Sequence, residues 1–392
     1  MGLGYIGLPT AALIASRGIQ VQGIDVNQSV VNTINSGKIH IVEPALDGLV
    51  KHVVEMGLLK ANITPDNADV FLIAVPTPFK GDHEPDLEYV ESATRMIIPK
   101  LNEGNLFILE STSPVGTTDK MAKIIFEERP ELKGKINIAY CPERVLPGNV
   151  IYELEHNDRV IGGLDEKSTK AAQNFYRHFV KGELHATNAK TAEMCKLVEN
   201  SSRDVSIAFA NELSMICDKA EINVWELIHL ANKHPRVNIL QPGTGVGGHC
   251  IAVDPWFIVS EFKKEAVIIR NAREINNYKT EWVIEKIRST ALQFELDNSR
   301  KPTIALMGLA FKPDIDDLRE SPALLVAETL LLDNKYNLLL VEPNLEENKK
   351  YDLTDFTETN GKADIVAYLV AHKDFKGFIT ECIELDFCGV KK

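Results

Sequence analysis

The sequence predicts an α/β protein in three parts: an N-terminal α/β domain (1–186), an all-helical middle (187–297) and a second, smaller α/β domain (298–392). Three observations carry this. Short apolar runs alternate with helical patterns over the first third, as in a parallel sheet with crossover helices. From about Thr187 the pattern becomes long helical periodicity, and after a polar break at 298–302 the short apolar runs return.

Taken in order, residues 21–26, 70–75, 106–110 and 136–140 read as buried parallel strands, because each is a short, nearly continuous apolar run. Between them, 9–17 and 88–101 carry the spacing of helices. In the middle, Ala192, Cys195, Lys196, Val198 and Glu199 run into a helix over 205–220, followed by 225–231 and a second long helical stretch over 256–296. Beyond the break, 303–310, 337–341 and 363–370 are strands and 322–332 is a helix.

At 392 residues, 44% hydrophobic and 25% charged, the chain is long enough for two or three cores. A net charge of −13 argues against a nucleic-acid partner, which needs a basic footprint, but leaves room for an anionic small ligand held by a local cluster of cations. No apolar run approaches the roughly 20 residues of a membrane span, and no secretory signal is apparent. The six cysteines (141, 195, 217, 250, 382 and 388) show no Cys-x-x-Cys pair and no metal-like spacing with histidine. These features predict a cytoplasmic protein with reduced thiols, no membrane association and no structural metal.

The chain opens with Gly2-Leu3-Gly4-Tyr5-Ile6-Gly7, a Gly-x-Gly-x-x-Gly turn leading into a helix. Asp25 closes an apolar run about 20 residues on, where an acid binds the adenine ribose hydroxyls and repels a 2′-phosphate. The first domain is therefore Rossmann-like and its cofactor NAD rather than NADP. The turn should follow a β-strand, yet only Met1 precedes it. Either the start of the chain is lost or the sheet lacks its central strand, which would weaken folding and NAD binding. Two strand ends, Val75-Pro76-Thr77-Pro78 and the run from Ser111 through Thr112 to Thr118, place hydroxyls where ligands of open parallel sheets bind. Ordinary turn chemistry explains them equally well.

The run Gly245-Val246-Gly247-Gly248-His249-Cys250-Ile251-Ala252-Val253-Asp254 adds a thiol to a Gly-rich loop. An aldehyde has no good hydride to give until a nucleophile adds to its carbonyl, and a thiolate adds readily. The resulting thiohemiacetal gives a second hydride and the thioester hydrolyses, so one site performs a four-electron oxidation. The alternative is that Cys250 is a small buried hydrophobe.

These segments, together with Pro142-Glu143-Arg144-Val145-Leu146-Pro147-Gly148, Ala192-Glu193-Met194-Cys195-Lys196-Leu197-Val198-Glu199-Asn200 and Phe311-Lys312-Pro313-Asp314 through Arg319-Glu320-Ser321, resemble the UDP-glucose and GDP-mannose dehydrogenase family, NAD-dependent four-electron oxidases of nucleotide sugars. The resemblance covers essentially the whole chain apart from the absent first strand. His234-Pro235-Arg236-Val237-Asn238 and Arg144-Val145-Leu146-Pro147 resemble the branch acting on UDP-N-acetyl-D-mannosamine. The resemblance implies a second Rossmann-like domain at the C-terminus that binds the UDP-sugar, and pairing through the middle helices into a homodimer or larger assembly. It makes Cys250 the nucleophile, Lys196 a proton carrier or oxyanion stabiliser, and Asn200 a ligand of sugar and water. Lys196 and Asn200, four apart on a helix, share a face. Asp254 and Glu143 would act on the hydrolytic water. Arg144, Val145, Lys196, Asn200, Arg203, His234, Arg236 and Gly247 would contact the nucleotide sugar, with Phe311 and Lys312 on its UDP part. Arg319 would reach the NAD phosphates beside Tyr5, Ile6, Asp25, Thr77, Thr112 and Thr118. Cys388 stands where the resemblance implies a residue that is usually basic, which weakens one phosphate contact.

Three alternatives stay open at this stage: another nucleotide-sugar 6-dehydrogenase (UDP-glucose, UDP-N-acetylgalactosamine, GDP-mannose), a two-electron hydroxyacid dehydrogenase, and an impaired nucleotide-sugar-binding remnant lacking its first strand. Two NADH per substrate fit only the first class.

Overall fold

The computed structural model describes residues 1–41, 43–81, 83–145, 148–248, 250–345 and 350–392. They divide into two compact units, Met1–Glu199 and Asn200–Lys392. The first contains α1 (Gly7–Ser16), β1 (Val21–Ile24), α2 (Gln28–Asn35), α3 (Leu46–Glu55), β2 (Leu59–Asn62), β3 (Val70–Ile73), β4 (Phe79–Lys80), β5 (Glu84–Pro85), α4 (Glu88–Ile97), β6 (Leu106–Leu109), α5 (Thr117–Glu128), β7 (Asn137–Tyr140), α6 (Val150–His156), β8 (Arg159–Gly163), α7 (Glu166–Tyr176), β9 (Leu184–Asn188) and the start of α8 (Ala189–Lys219).

Apart from a two-residue antiparallel pairing of β4 with β5, its strands form two ladders rather than one. β1 pairs with β2 in parallel, and β3-β6-β7-β8-β9 form a second sheet in which only the β7–β8 pairing is antiparallel. The two are linked by Met1 and Gly2: the Met1 amine donates to Leu72 O (2.8 Å), Ala74 N–H to Met1 O (2.9 Å) and Gly2 N–H to Ile24 O (2.7 Å). Where the sequence predicts a gap, no strand is assigned among the described residues and two residues bridge the ladders. Strands β6 and β7 are buried at every position, matching sequences that are apolar throughout in β6 and after Asn137 in β7. Gly162 and Gly163 hide β8 from sequence pattern, because a Cβ at Gly162 would lie 2.2 Å from Asn188 O and one at Gly163 2.4 Å from Thr169 N.

The second unit holds the rest of α8, then α9 (Val224–Ala231), α10 (Asp254–Glu261), α11 (Val267–Asn298), β10 (Thr303–Met307), α12 (Pro322–Asp333), β11 (Asn337–Val341), β12 (Ile365–Tyr368) and β13 (Ile383–Asp386). The last four strands make one parallel sheet, β11-β10-β12-β13, as a Rossmann-like domain requires. The helical stretch predicted over 256–296 is two helices. α10 ends at Glu261 and α11 begins at Val267, and the lysine pair Lys263-Lys264 lies in the break. The polar break is correspondingly shorter: α11 runs through Asn298 and stops at Ser299, which takes the left-handed conformation (φ 54).

Candidate active site

In the first unit the glycine turn separates its three glycines by role. A Cβ on Gly7 would lie 1.9 Å from Gly2 O, so α1 starts against the Gly2 backbone. Gly2 has φ 84, and its own Cβ would meet Ala74 O at 2.5 Å. Gly4 has nothing within 4 Å and is exposed, beside Tyr5 (43% exposed) and the partly buried Ile6. No described side chain caps the α1 N-terminus, where the helix dipole favours an anion. Asp25 is fixed beside the turn, its carboxylate accepting Leu3 N–H (3.0 Å) and Asn27 N–H (2.9 Å). Two bonds leave lone pairs for a ribose diol, so these residues fit a dinucleotide.

The strand-end hydroxyls are brought together but engaged. Thr77 Oγ1 donates to Thr112 O (2.6 Å) and Ser111 Oγ accepts Val75 N–H (2.9 Å). Thr118 is buried, and both its N–H (2.8 Å) and its hydroxyl (2.7 Å) donate to Glu193 Oε1. Glu193 Oε2 accepts Gly116 N–H (2.6 Å), so this carboxylate stands at the N-terminus of α5, where the helix dipole favours an anion. Burial pushes its pKa up while those donors oppose the shift. Sequence reasoning missed Glu193 as a site-shaping residue; the signal was an acid inside an apolar helical pattern.

Glu143 sits past the end of β7, 7% exposed, and pairs through Oε2 with Arg159 Nη1 at 2.7 Å. Arg159 (1% exposed) is also missing from the sequence prediction. Burial opposes its charge, but Glu143, Cys141 and Glu110 hold its pKa up. Beneath the pair, burial raises the Glu110 carboxyl to about 7, and Tyr176 donates to it at 2.6 Å. Arg144 forms a two-pronged pair with Glu199 (3.0 and 2.7 Å), next to the partly buried Val145. Lys196 is half-buried on α8.

In the second unit Cys250 is exposed, one turn ahead of α10. Asp254 N–H donates to Cys250 O (2.9 Å), and the buried Asp254 carboxylate accepts Asn200 Nδ2 at 2.5 Å. Thiol and acid are thus one turn of backbone apart, and the amide from α8 is bonded to the acid. The loop's glycines are required by what it packs on. A Cβ on Gly247 would lie 2.3 Å from Glu320 O and 3.0 Å from Phe311 Cβ, and one on Gly248 (φ 82) 2.9 Å from the Phe311 ring. The loop is anchored at Gly243, whose N–H donates to Asn211 (2.9 Å). Asn211 belongs to a buried chain through Asn276 to Asp204 and Arg273. Arg203, His234, Arg236 and Lys312 are exposed. Arg319 is held by Asp317 at 2.6–3.0 Å. Cys388 is packed beneath Tyr368 O (3.5 Å), and burial pushes its thiol well above the usual value. Leu146, Pro147 and His249, parts of the motifs above, lie outside the described residues.

Comparison with known proteins agrees along the chain. Residues 1–180 match the NAD binding domain of the UDP-glucose/GDP-mannose dehydrogenase family, 190–278 its central domain and 305–386 its UDP binding domain. The chain is 57% identical over 391 residues to the UDP-N-acetyl-D-mannosamine dehydrogenase of Campylobacter jejuni, covering 96% of this chain and 95% of that protein. It is 51% identical over 396 residues to an NDP-N-acetyl-D-galactosaminuronic acid dehydrogenase of Ralstonia nicotianae (98% and 92% covered). Among solved structures, a UDP-N-acetyl-mannosamine dehydrogenase from S. aureus superposes with a TM-score of 0.87 at 38% identity, covering 100% of this chain and 98% of that one.

Proposed function

The chain belongs to the UDP-glucose/GDP-mannose dehydrogenase family, and from that premise we propose that it oxidises UDP-N-acetyl-D-mannosamine at C6 to the uronic acid on a single thiol. The observation that carries the reading is the exposed Cys250 one turn ahead of the buried Asp254, with Asn200 bonded to that acid. Gly2, Gly4, Gly7 and Asp25, with Tyr5, Ile6, Thr77, Thr112, Thr118 and Arg319 around them, would hold NAD, which would supply the hydride acceptor for both oxidations.

The chain's own residues do the rest. Lys196 takes the proton of the C6 hydroxyl as the alcohol becomes an aldehyde. Cys250 Sγ, as thiolate, forms a bond to C6, and the carbonyl oxygen takes a proton to give the thiohemiacetal. That proton leaves when the second hydride does, which gives the thioester. Water then adds to C6, Asp254 with Glu143 takes one of its protons, and the C–S bond breaks to release thiolate and the carboxylic acid, which loses the second proton to solvent as carboxylate. Asn200 orients the sugar and the water. Phe311 and Lys312 hold the UDP part, and Arg144, Val145, Arg203, His234, Arg236 and Gly247 the rest of the nucleotide sugar.

The same proposal assigns 1–186 to NAD binding, 187–297 to pairing of two or more copies, and 298–392 to the UDP-sugar. No helix among the described residues is long and apolar enough to cross a membrane. We place the enzyme in the cytoplasm, feeding envelope polysaccharide synthesis. The test is a panel of nucleotide sugars with NADH counted per molecule consumed. Two NADH from UDP-N-acetyl-D-mannosamine, and the highest kcat/KM for it, support the proposal. One NADH per substrate, or a higher kcat/KM for the galactosamine epimer, overturns it.

A further inference from the structure

The segment bearing Phe311 and Lys312 leaves β10 through Gly308 and is fastened at its far end by one residue. Asp314 N–H donates to His372 Nδ1 at 2.9 Å, and Asp314 Oδ1 accepts Lys373 N–H at 2.9 Å. Its φ of 60 is the left-handed region that non-glycine residues enter only when held there. His372 is fully buried, and its Nε2 lies 3.1 Å from Glu342 Oε2. That same oxygen accepts Leu309 N–H (2.8 Å) and Ala310 N–H (2.9 Å), while Asn344 bonds to Glu342 Oε1 and lies 2.9 Å from His372 Nδ1. A backbone N–H can only donate, so Nδ1 accepts and the proton of the neutral ring sits on Nε2, facing the carboxylate. Burial works against the Glu342 charge, but His372 and the two amides hold its pKa down at about 2. The edge of Phe375, 5.3 Å away, closes the ring in. One imidazole–carboxylate pair therefore ties both ends of the 309–314 segment, Glu342 at its start and His372 at its end.

We propose that His372 is a positioning residue for substrate: through Asp314 it fixes where Lys312 and Phe311 stand, and so how tightly the UDP part is held. The proposal rests on the reading of Lys312 and Phe311 as the UDP holders. Phe311 also packs on Gly247 and Gly248 of the thiol loop, so its position bears on the same unit's chemistry.

Two substitutions divide the two bonds. His372→Gln retains a donor for Glu342 and lacks the acceptor for Asp314 N–H, whereas His372→Asn retains that acceptor near the Nδ1 position. In the full-length enzyme, KM for the UDP-sugar and the Kd for UDP by calorimetry are measured, with Lys312→Ala alongside and NAD affinity as control. The expected result is a rise of about tenfold in KM and in the UDP Kd for His372→Gln, with kcat and NAD affinity within about twofold of the parent. His372→Asn should recover most of the loss. If Lys312→Ala weakens UDP binding and His372→Gln does not, His372 does not position the segment. If both His372 variants lose kcat, substrate affinity and NAD affinity together, its role is only structural. If Lys312→Ala leaves UDP binding unchanged, the UDP-site reading fails first and this proposal falls with it.

Discussion

Cys250 and Asp254 are close in sequence but differ sharply in environment, the thiol exposed and the carboxylate 3% exposed with an amide on it. That difference makes separable predictions. Under the proposed function Cys250→Ala removes the nucleophile that holds C6, and uronate formation should fall by about 10³ or more while calorimetric binding of NAD and UDP-sugar persists. Asp254→Asn keeps the shape and removes the base, so turnover should fall by about 10² to 10⁴ with thioester accumulating on Cys250, visible by mass spectrometry. A third residue acts through stability. Lys279, 1% exposed, sits 3.9 Å above the Trp282 ring and donates to Ser214 (2.8 Å). Burial pushes its pKa down to about 7, against the pull of Asp218. A lowered folded-state pKa means that the unfolded chain binds the extra proton. Stability therefore rises between pH 7 and 10, by up to about 1.4 kcal/mol per unit, and is lost as pH falls through 7. Urea unfolding of Lys279→Met should show a smaller gain from pH 6 to pH 9 than the parent; an equal gain would refute the assignment.

Individual elements were legible where one force dominates. β6, β7 and β10 are buried on both faces, and their apolar runs, preceded only by Asn137 in β7 and Thr303 in β10, announce it. β9 and β13 are short and alternate apolar with polar residues, and β8 owes its glycines to close backbone approach, so none is an unbroken apolar run of the kind that marks the buried strands. The break between α10 and α11 is hidden because helical periodicity runs through it. The same holds within the site. Motif residues announce themselves, whereas their tethers bridge 75 residues (Glu193 to Thr118), 32 (Asn211 to Gly243) or 16 (Arg159 to Glu143), separations that local pattern cannot register. The glycine turn allows a test at this scale. Gly7→Ala forces a Cβ into Gly2 O and should lower both Tm and NAD affinity. Gly4→Ala, with open space around it, should leave Tm unchanged while NAD affinity falls by about tenfold or more in fluorescence titration, since the added methyl occupies the phosphate's approach. A matched loss of Tm in both would contradict the division of roles.

Across the whole molecule the three-part α/β–helical–α/β order was readable because each part changes hydrophobic period, while the split of the first sheet into two ladders joined at Met1 and Gly2 shows only in three dimensions. Binding to the folded state alone stabilises it by mass action, about 2.7 kcal/mol at a hundredfold excess over Kd. Thermal melts should therefore rise with NAD and stay flat with NADP, since under the proposed function the Asp25 carboxylate repels the extra phosphate; an equal rise with both would overturn the choice of dinucleotide. A protein of net charge −13 must nonetheless bind polyanions, and two of its arginines do not wait bare for them. Arg144 is occupied by Glu199 and Arg319 by Asp317, each through two prongs. Under the proposed function Arg319 meets the NAD phosphates and Arg144 the nucleotide sugar, so each arriving ligand must evict a resident carboxylate. Ligand uptake is then an internal exchange, in which the ligand takes the place of a tethered acid.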